Sequence, residues 1–314
     1  MSDRQQETDH TPRKANNPVV VWLQAARIPT LVASLSPVIA ALSLAYRDLQ
    51  VEALHFAVVP AICCVGFALF AQIAANFIND YSDFKKGADT AERKGPLRVV
   101  AEGLVSPKQM LVATFIMLGI ACAFGLGALP YGGVKLIPVG AVCAVFCLLY
   151  SAGPKPLAYI GLGDALVIAF FGVVSVTFTY YLQTGTVSQD AVLLGVAMGL
   201  VVDNILVANN YRDRDEDRAH GKLTLVAIFG ERFGRYFYLF NGLAAAFLVG
   251  LLIYRQLFPR FALCAGLCVY LFLHLKTWRE MSKIREGKGL VRILGLSARN
   301  LLLLAVMLAV GFPV

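Results

Sequence analysis

The chain has 314 residues, 58% hydrophobic and only 15% charged, with mean hydropathy +0.67 and formal net charge +8. A soluble domain of this size carries about a quarter charged residues, so much of this surface does not face water. That hydropathy excludes a soluble nucleic-acid-binding protein, and the net positive charge follows a membrane topology instead.

Residues 1–17 are polar, lack an apolar core, and read as a disordered cytoplasmic tail rather than a cleaved signal. Residues 18–27 read as an interfacial lead-in. Nine apolar spans follow, at roughly 28–46, 54–79, 109–129, 134–150, 160–182, 191–210, 236–254, 261–275 and 293–312. A helix needs about 20 apolar residues to cross a bilayer. The expected architecture is therefore an all-α membrane protein, a bundle of nine transmembrane helices in one domain over 18–314. With the N-terminus in the cytoplasm and the C-terminus outside, 23 of the 28 Lys and Arg residues fall on the inner side. Only Arg47, Lys135, Arg255 and Arg260 fall outside, and Arg299 lies within a span. This bias is the one that positive-inside topology requires.

Seven cysteines, at 63, 64, 122, 143, 147, 264 and 268, all lie in apolar runs. Cys143/Cys147 and Cys264/Cys268 are each spaced i,i+4, but neither pair has the further ligands of a metal site. They read as small side chains buried in helix packing.

Two inner loops are long and charged, one after the second span and one after the sixth. The first segment is Gln72-xxx-Asn76-xx-Asn79-Asp80-xx-Asp83-xxxxx-Asp89. Its amides and carboxylates recur at three and four residues, forming one helix face from within the bilayer to its cytoplasmic edge. A solvated helix end requires neither Gln72 nor Asn76, and polar groups at that depth mark a site. The second segment holds Asn209, Asn210, Asp213 and Asp217, with Arg212, Arg214, Arg218 and Lys222 as compensating charge. Alone, it also reads as an ion-pair network on a surface helix. Two facing acidic clusters repel unless cations lie between them. Mg²⁺, which favours one or two carboxylates, waters and phosphate oxygens, makes Asp80, Asp83, Asp213 and Asp217 metal ligands for a bound diphosphate. Lys85, Lys86, Arg98, Arg212 and Lys222 are candidates for its remaining oxygens.

Asn79-Asp80-Tyr81-Ser82-Asp83 through Asp89, followed by Gly95-Pro96-x-Arg98, resembles the first motif of the UbiA superfamily of intramembrane prenyltransferases. Asn209-Asn210-Tyr211-Arg212-Asp213, then Asp217-Arg218 and Gly221-Lys222-x-Thr224-Leu225, resembles the second. Ala26–Leu31 and Tyr150–Asp164 also fit, and together these stretches resemble the branch acting on 1,4-dihydroxy-2-naphthoate. The resemblance implies a polyprenyl diphosphate donor, that aromatic acceptor, Mg²⁺, and a demethylmenaquinone product formed with loss of CO₂ and pyrophosphate. It implies a multi-pass protein of the inner cell membrane with its site toward the cytoplasm. Asn76, Asn79, Asp89, Tyr150, Asn209 and Asn210 join the basic residues as substrate-binding candidates. Other aromatic acceptors (4-hydroxybenzoate, homogentisate, a chlorophyllide-like ring) remain open, as does a transporter or anionic-lipid-binding protein. Two departures stand out: Ile228 replaces an Arg usual in the branch, and Asp203 lies two turns before Asn210 without precedent in the motif.

Overall fold

The computed structural model describes residues 17–87, 98–255, 261–285, 287 and 289–312. Asp89, Gly95, Pro96 and the polar tail 1–16 lie outside them. The described residues form helices and connecting loops, with no strand among them.

α1 (Pro18–Ala26) starts where Asn17 caps it, the Asn17 side chain accepting from the Val19 N–H at 3.0 Å. It stops at Arg27, which takes a left-handed φ of 50° and turns the chain into α2 (Ile28–Val51). The lead-in is thus a helix of its own. α3 (Val58–Lys85) is followed by α4 (Pro107–Gly127), which opens with a reciprocal Ser106–Gln109 capping box. Then come α5 (Leu129–Gly132), α6 (Leu136–Leu149), α7 (Gly163–Thr184), α8 (Gln189–Ala219), α9 (Leu225–Tyr254), α10 (Phe261–Lys283) and α11 (Gly289–Gly311).

Eight of these helices are long and apolar enough to cross a membrane. The exception among the expected spans is α6, the fourth, which has 14 residues. This is short of the length of about 20 that a straight crossing needs. α3 and α8 instead outrun the expected spans, because their polar turns continue the helix past the apolar stretch, whereas α9 starts early with a short segment set off by a kink at Gly230, where φ is 85°. Hydropathy reports the thickness of the apolar layer and not the length of the helix.

α8 is the central helix. Within its most apolar window 67% of residues are buried, against 17% in α4. It packs on α7 backbone to backbone, through glycines. A Cβ at Gly172 would lie 2.3 Å from the Gly195 carbonyl oxygen and 2.5 Å from the Gly199 Cα. One at Gly199 would lie 2.7 Å from the Ile168 carbonyl oxygen. Small residues let membrane helices approach in this way. α7 takes π-helical geometry over Ile168–Val174, across the same contact. The pairs 168/199 and 172/195 fix an antiparallel register between α7 and α8.

The cysteine expectation needs correction. All seven are free, only Cys63 is buried, and Cys122, Cys264 and Cys268 are exposed. Cys63, Cys64, Cys122, Cys143 and Cys147 face an internal cavity rather than a packed core. The reason is that α6, which carries two of them, buries no residue at all.

Candidate active site

A cavity of about 1170 Å³ runs from the ends of α3 and α8 down between α2, α3, α4, α6 and α7. Its polar end carries the acidic segments and its long remainder is apolar, an arrangement suited to a ligand with a charged head and a hydrocarbon tail.

From α3 come Asn76, Asn79 and Asp83. Asn76 is 5% exposed and its amide donates to the Ala26 carbonyl and the Thr30 hydroxyl, both at 2.8 Å. Gln72 donates to Asn76 Oδ1 at 3.2 Å. This buried amide pair therefore fastens the α1–α2 turn to α3, a role that the sequence pattern concealed. Asp83 is ion-paired with Arg98, which also donates to Asn79 Oδ1 at 3.1 Å. Asp80 is 2% exposed and does not line the cavity. Lys85 and Lys86 are also outside the lining: Lys85 lies over the Tyr81 ring, and Lys86 donates to the Ser151 carbonyl at 3.1 Å. Partial burial pulls the Lys86 ammonium below the ordinary lysine range; neighbouring Asp83 opposes this and Lys222 adds to it.

From α8 come Asn209, Asn210, Asp213 and Asp217. Arg212 does not line the cavity and clamps Asp213 bidentately, with Nε at 2.6 Å and Nη2 at 2.5 Å, while donating to Asn209 Oδ1 at 2.8 Å. It orients the carboxylate rather than facing a ligand. Lys222 lines the cavity and reaches Asp217 Oδ1 at 3.1 Å. The rest of the second motif is architecture. Gly221 (φ +69°) ends α8, and Thr224 caps α9 by accepting from the Ala227 N–H at 3.1 Å. Ile228 is 48% exposed and outside the cavity.

The two segments are joined by the loop between α6 and α7. The Lys86 ammonium sits 4.3 Å above the Tyr159 ring and that of Lys222 at 5.9 Å, and the Leu223 N–H donates to the Tyr159 carbonyl at 3.0 Å. Tyr150, on the cavity wall, directs its hydroxyl to 3.4 Å from the Cβ position of Gly163.

The donors suit a hard cation. Asp83, Asp213, Glu216 and Asp217 with the carboxamides of Asn79, Asn209 and Asn210 supply oxygen ligands, and Asp217 Oδ2 is buried without a hydrogen-bond partner. No three His, Cys, Asp or Glu among the described residues converge to hold a metal alone. Mg²⁺ does not need them to, since phosphate oxygens and waters complete its shell.

The sequence profile of the UbiA prenyltransferase family matches residues 34–310. The chain belongs to this family. It is 33% identical over 248 residues to the 1,4-dihydroxy-2-naphthoate octaprenyltransferase of Escherichia coli (strain K12), covering 77% of each chain. It is 35% identical over 218 residues to the enzyme of that name from Mycobacterium tuberculosis, covering 69% of this chain and 72% of the relative. The structure of a UbiA homolog from Archaeoglobus fulgidus bound to GPP and Mg²⁺ superposes with a TM-score of 0.63 at 12% identity, over 92% of this chain and 99% of that one. The motifs thus pointed to the family, but several cavity residues escaped the sequence reading of the site, among them Glu216, His220 and two from outside the motifs. Asp164 and Arg27 both line the cavity. The signals available were Asp164 as the sole charge in an apolar run, and Arg27 as the sole charge between Lys14 and Arg47.

Proposed function

We propose that the protein transfers a polyprenyl group from its diphosphate to 1,4-dihydroxy-2-naphthoate, releasing pyrophosphate and CO₂ and giving demethylmenaquinone. The observation that carries this reading is the meeting of two acidic segments, 130 residues apart between Asp83 and Asp213, at the polar end of one apolar cavity. The relatives named for that acceptor support it.

Asp83, Asp213 and Asp217 would hold Mg²⁺ with the diphosphate, with Asp80 one turn away on α3. Bound there, the metal would neutralise charge developing on the leaving pyrophosphate. Arg98 and Lys222 would turn from their present carboxylate partners to phosphate oxygens as the metal replaces them, and Lys86 stands behind Tyr159 as further positive charge. Arg212 keeps Asp213 and Asn209 in place. The prenyl tail lies along the apolar wall, which excludes water from the allylic carbon as its C–O bond weakens. The Tyr150 ring on that wall can stabilise positive charge there. The aromatic acceptor then attacks that carbon.

The membrane arrangement is part of the proposal: residues 18–314 form one domain with nine crossings, the ninth supplied by α6 with α5. The N-terminus and the site face the cytoplasm, the C-terminus lies outside, and the membrane is the inner one. The test uses membranes bearing the protein, labelled polyprenyl diphosphate, Mg²⁺ and a panel of acceptors. Prenylation of the dihydroxynaphthoate, stopped by chelation, is expected. Faster turnover of 4-hydroxybenzoate or homogentisate, or Mg²⁺-independent transfer, overturns the reading.

A further inference from the structure

Asp164 sits in the first turn of α7, 2% exposed, on the cavity wall beside Tyr150. The α7–α8 register set by the pairs 168/199 and 172/195 brings residue 164 level with residue 203. Asp203 is fully buried behind the wall, and Asn241 of α9, equally buried, donates to its Oδ2 at 2.8 Å. Three antiparallel helices therefore place Asp164, Asp203 and Asn241 at one level.

The trio is short of donors. Asp164 Oδ1, Asp203 Oδ1 and Asn241 Oδ1 are all buried with no hydrogen-bond partner. Among the described residues the one donor to an Asp164 oxygen is its own main-chain N–H, and no basic side chain pairs with any of the three. Burying such acceptors unmet is costly, and a ligand that brings hydrogen-bond donors matches this wall. A prenyl diphosphate offers only acceptor oxygens and hydrocarbon. A hydroxylated aromatic ring offers O–H donors on a flat apolar body.

We propose that Asp164 is the acceptor-binding carboxyl of the site and accepts a hydrogen bond from a phenolic hydroxyl of the aromatic substrate. Asp203 and Asn241, bonded to each other behind the cavity wall at the level of Asp164, are positioning residues. The proposal deepens the function stated above and rests on it. It also accounts for Asp203, which pairs with an amide rather than a basic residue and reaches the aromatic substrate only through Asp164.

The test measures steady-state transfer and acceptor binding without donor, the latter by quenching of the acceptor's own fluorescence, in protein held in lipid nanodiscs. For Asp164→Asn, the acceptor KM and Kd are expected to rise at least ~10-fold while the prenyl diphosphate KM stays within about 2-fold, because a carboxyl acceptor is replaced by a weaker amide that also presents N–H groups, at a contact made to one substrate only. The wild type is expected to reject an acceptor with one hydroxyl methylated, and Asp164→Asn to discriminate far less between the hydroxy and methoxy forms. Asp203→Asn and Asn241→Ala, away from the cavity, should raise the acceptor KM by a smaller factor with kcat less affected. Should Asp164→Asn fail to fold, these two carry the test. Unchanged acceptor KM and unchanged hydroxyl discrimination in the variants overturn the proposal, as does an equal rise in both substrates' KM. A wild type that prenylates no dihydroxylated aromatic overturns the proposed function instead, so the two failures are distinguishable.

Discussion

The two acidic segments differ in how they are held. The second belongs to α8, the most buried spanning helix, and two of its cavity carboxylates have a partner within five residues: Arg212 for Asp213 and Lys222 for Asp217. The first closes α3, whose apolar window is only 28% buried, and Asp83 borrows Arg98 from fifteen residues on. The second segment is a preformed half-site, because its charges are neutralised by Arg212 of the same helix and by Lys222 just past its end. The first depends on a longer connection and presents only one of its two candidate ligands to the cavity. One site can thus combine a fixed pole with an adjustable one.

The largest effect that tests this contrast is the loss of a cavity carboxylate. Asp213→Ala should lower prenyl transfer at least ~10³-fold with membrane insertion intact, since the metal's charge stabilisation goes with it. Asp83→Ala should fall as far, and near wild-type turnover in either variant would sink the metal assignment. Asp80→Ala should lose about 10²-fold, less than either, because its carboxyl stands off the cavity and acts through the rearrangement of α3. A loss equal to that of Asp213→Ala would instead make Asp80 a direct ligand.

Packing gives the next effect. Gly172→Val forces side-chain atoms into the Gly195 and Gly199 backbone and should cost about 1–3 kcal/mol, read as a lower Tm in detergent. An unchanged Tm would mean that α8 is not the rigid pole. Asn76→Leu, which unfastens the α1–α2 turn from α3, should cost about 1–3 kcal/mol and raise the prenyl diphosphate KM, as unmet groups are left at Ala26 and Thr30. The smallest effect is expected from Ile228→Arg, which supplies the residue usual in the branch. At a half-exposed position outside the cavity, it should change transfer less than about 2-fold and stability within about 0.5 kcal/mol.

Much of the site was legible because carboxylates and carboxamides at helical spacing in an apolar chain have few other uses. Asp83, Asp213, Asp217, Asn79, Asn209, Asn210, Arg98, Tyr150 and Lys222 all reach the cavity. Spacing could not separate residues that face a ligand from those that support them. Arg212 and Asn76 share faces with site residues yet spend their hydrogen bonds on the protein, and Lys86 spends its own on Ser151. A helical period gives direction around an axis; which neighbour waits there depends on the other helices.

Composition and loop charge alone establish a helical membrane protein with two acidic segments on one side, because burial in lipid leaves a plain mark on both. The motifs alone point to the family, since their chemistry tolerates little change. Three features came to light only in the folded chain: α6 is too short for a straight crossing, glycine contacts set the α7–α8 register, and this register brings Asp164 level with Asp203 and Asn241. Those outcomes rest on contacts between residues far apart in the chain, at distances that backbone sterics fix and no local pattern encodes.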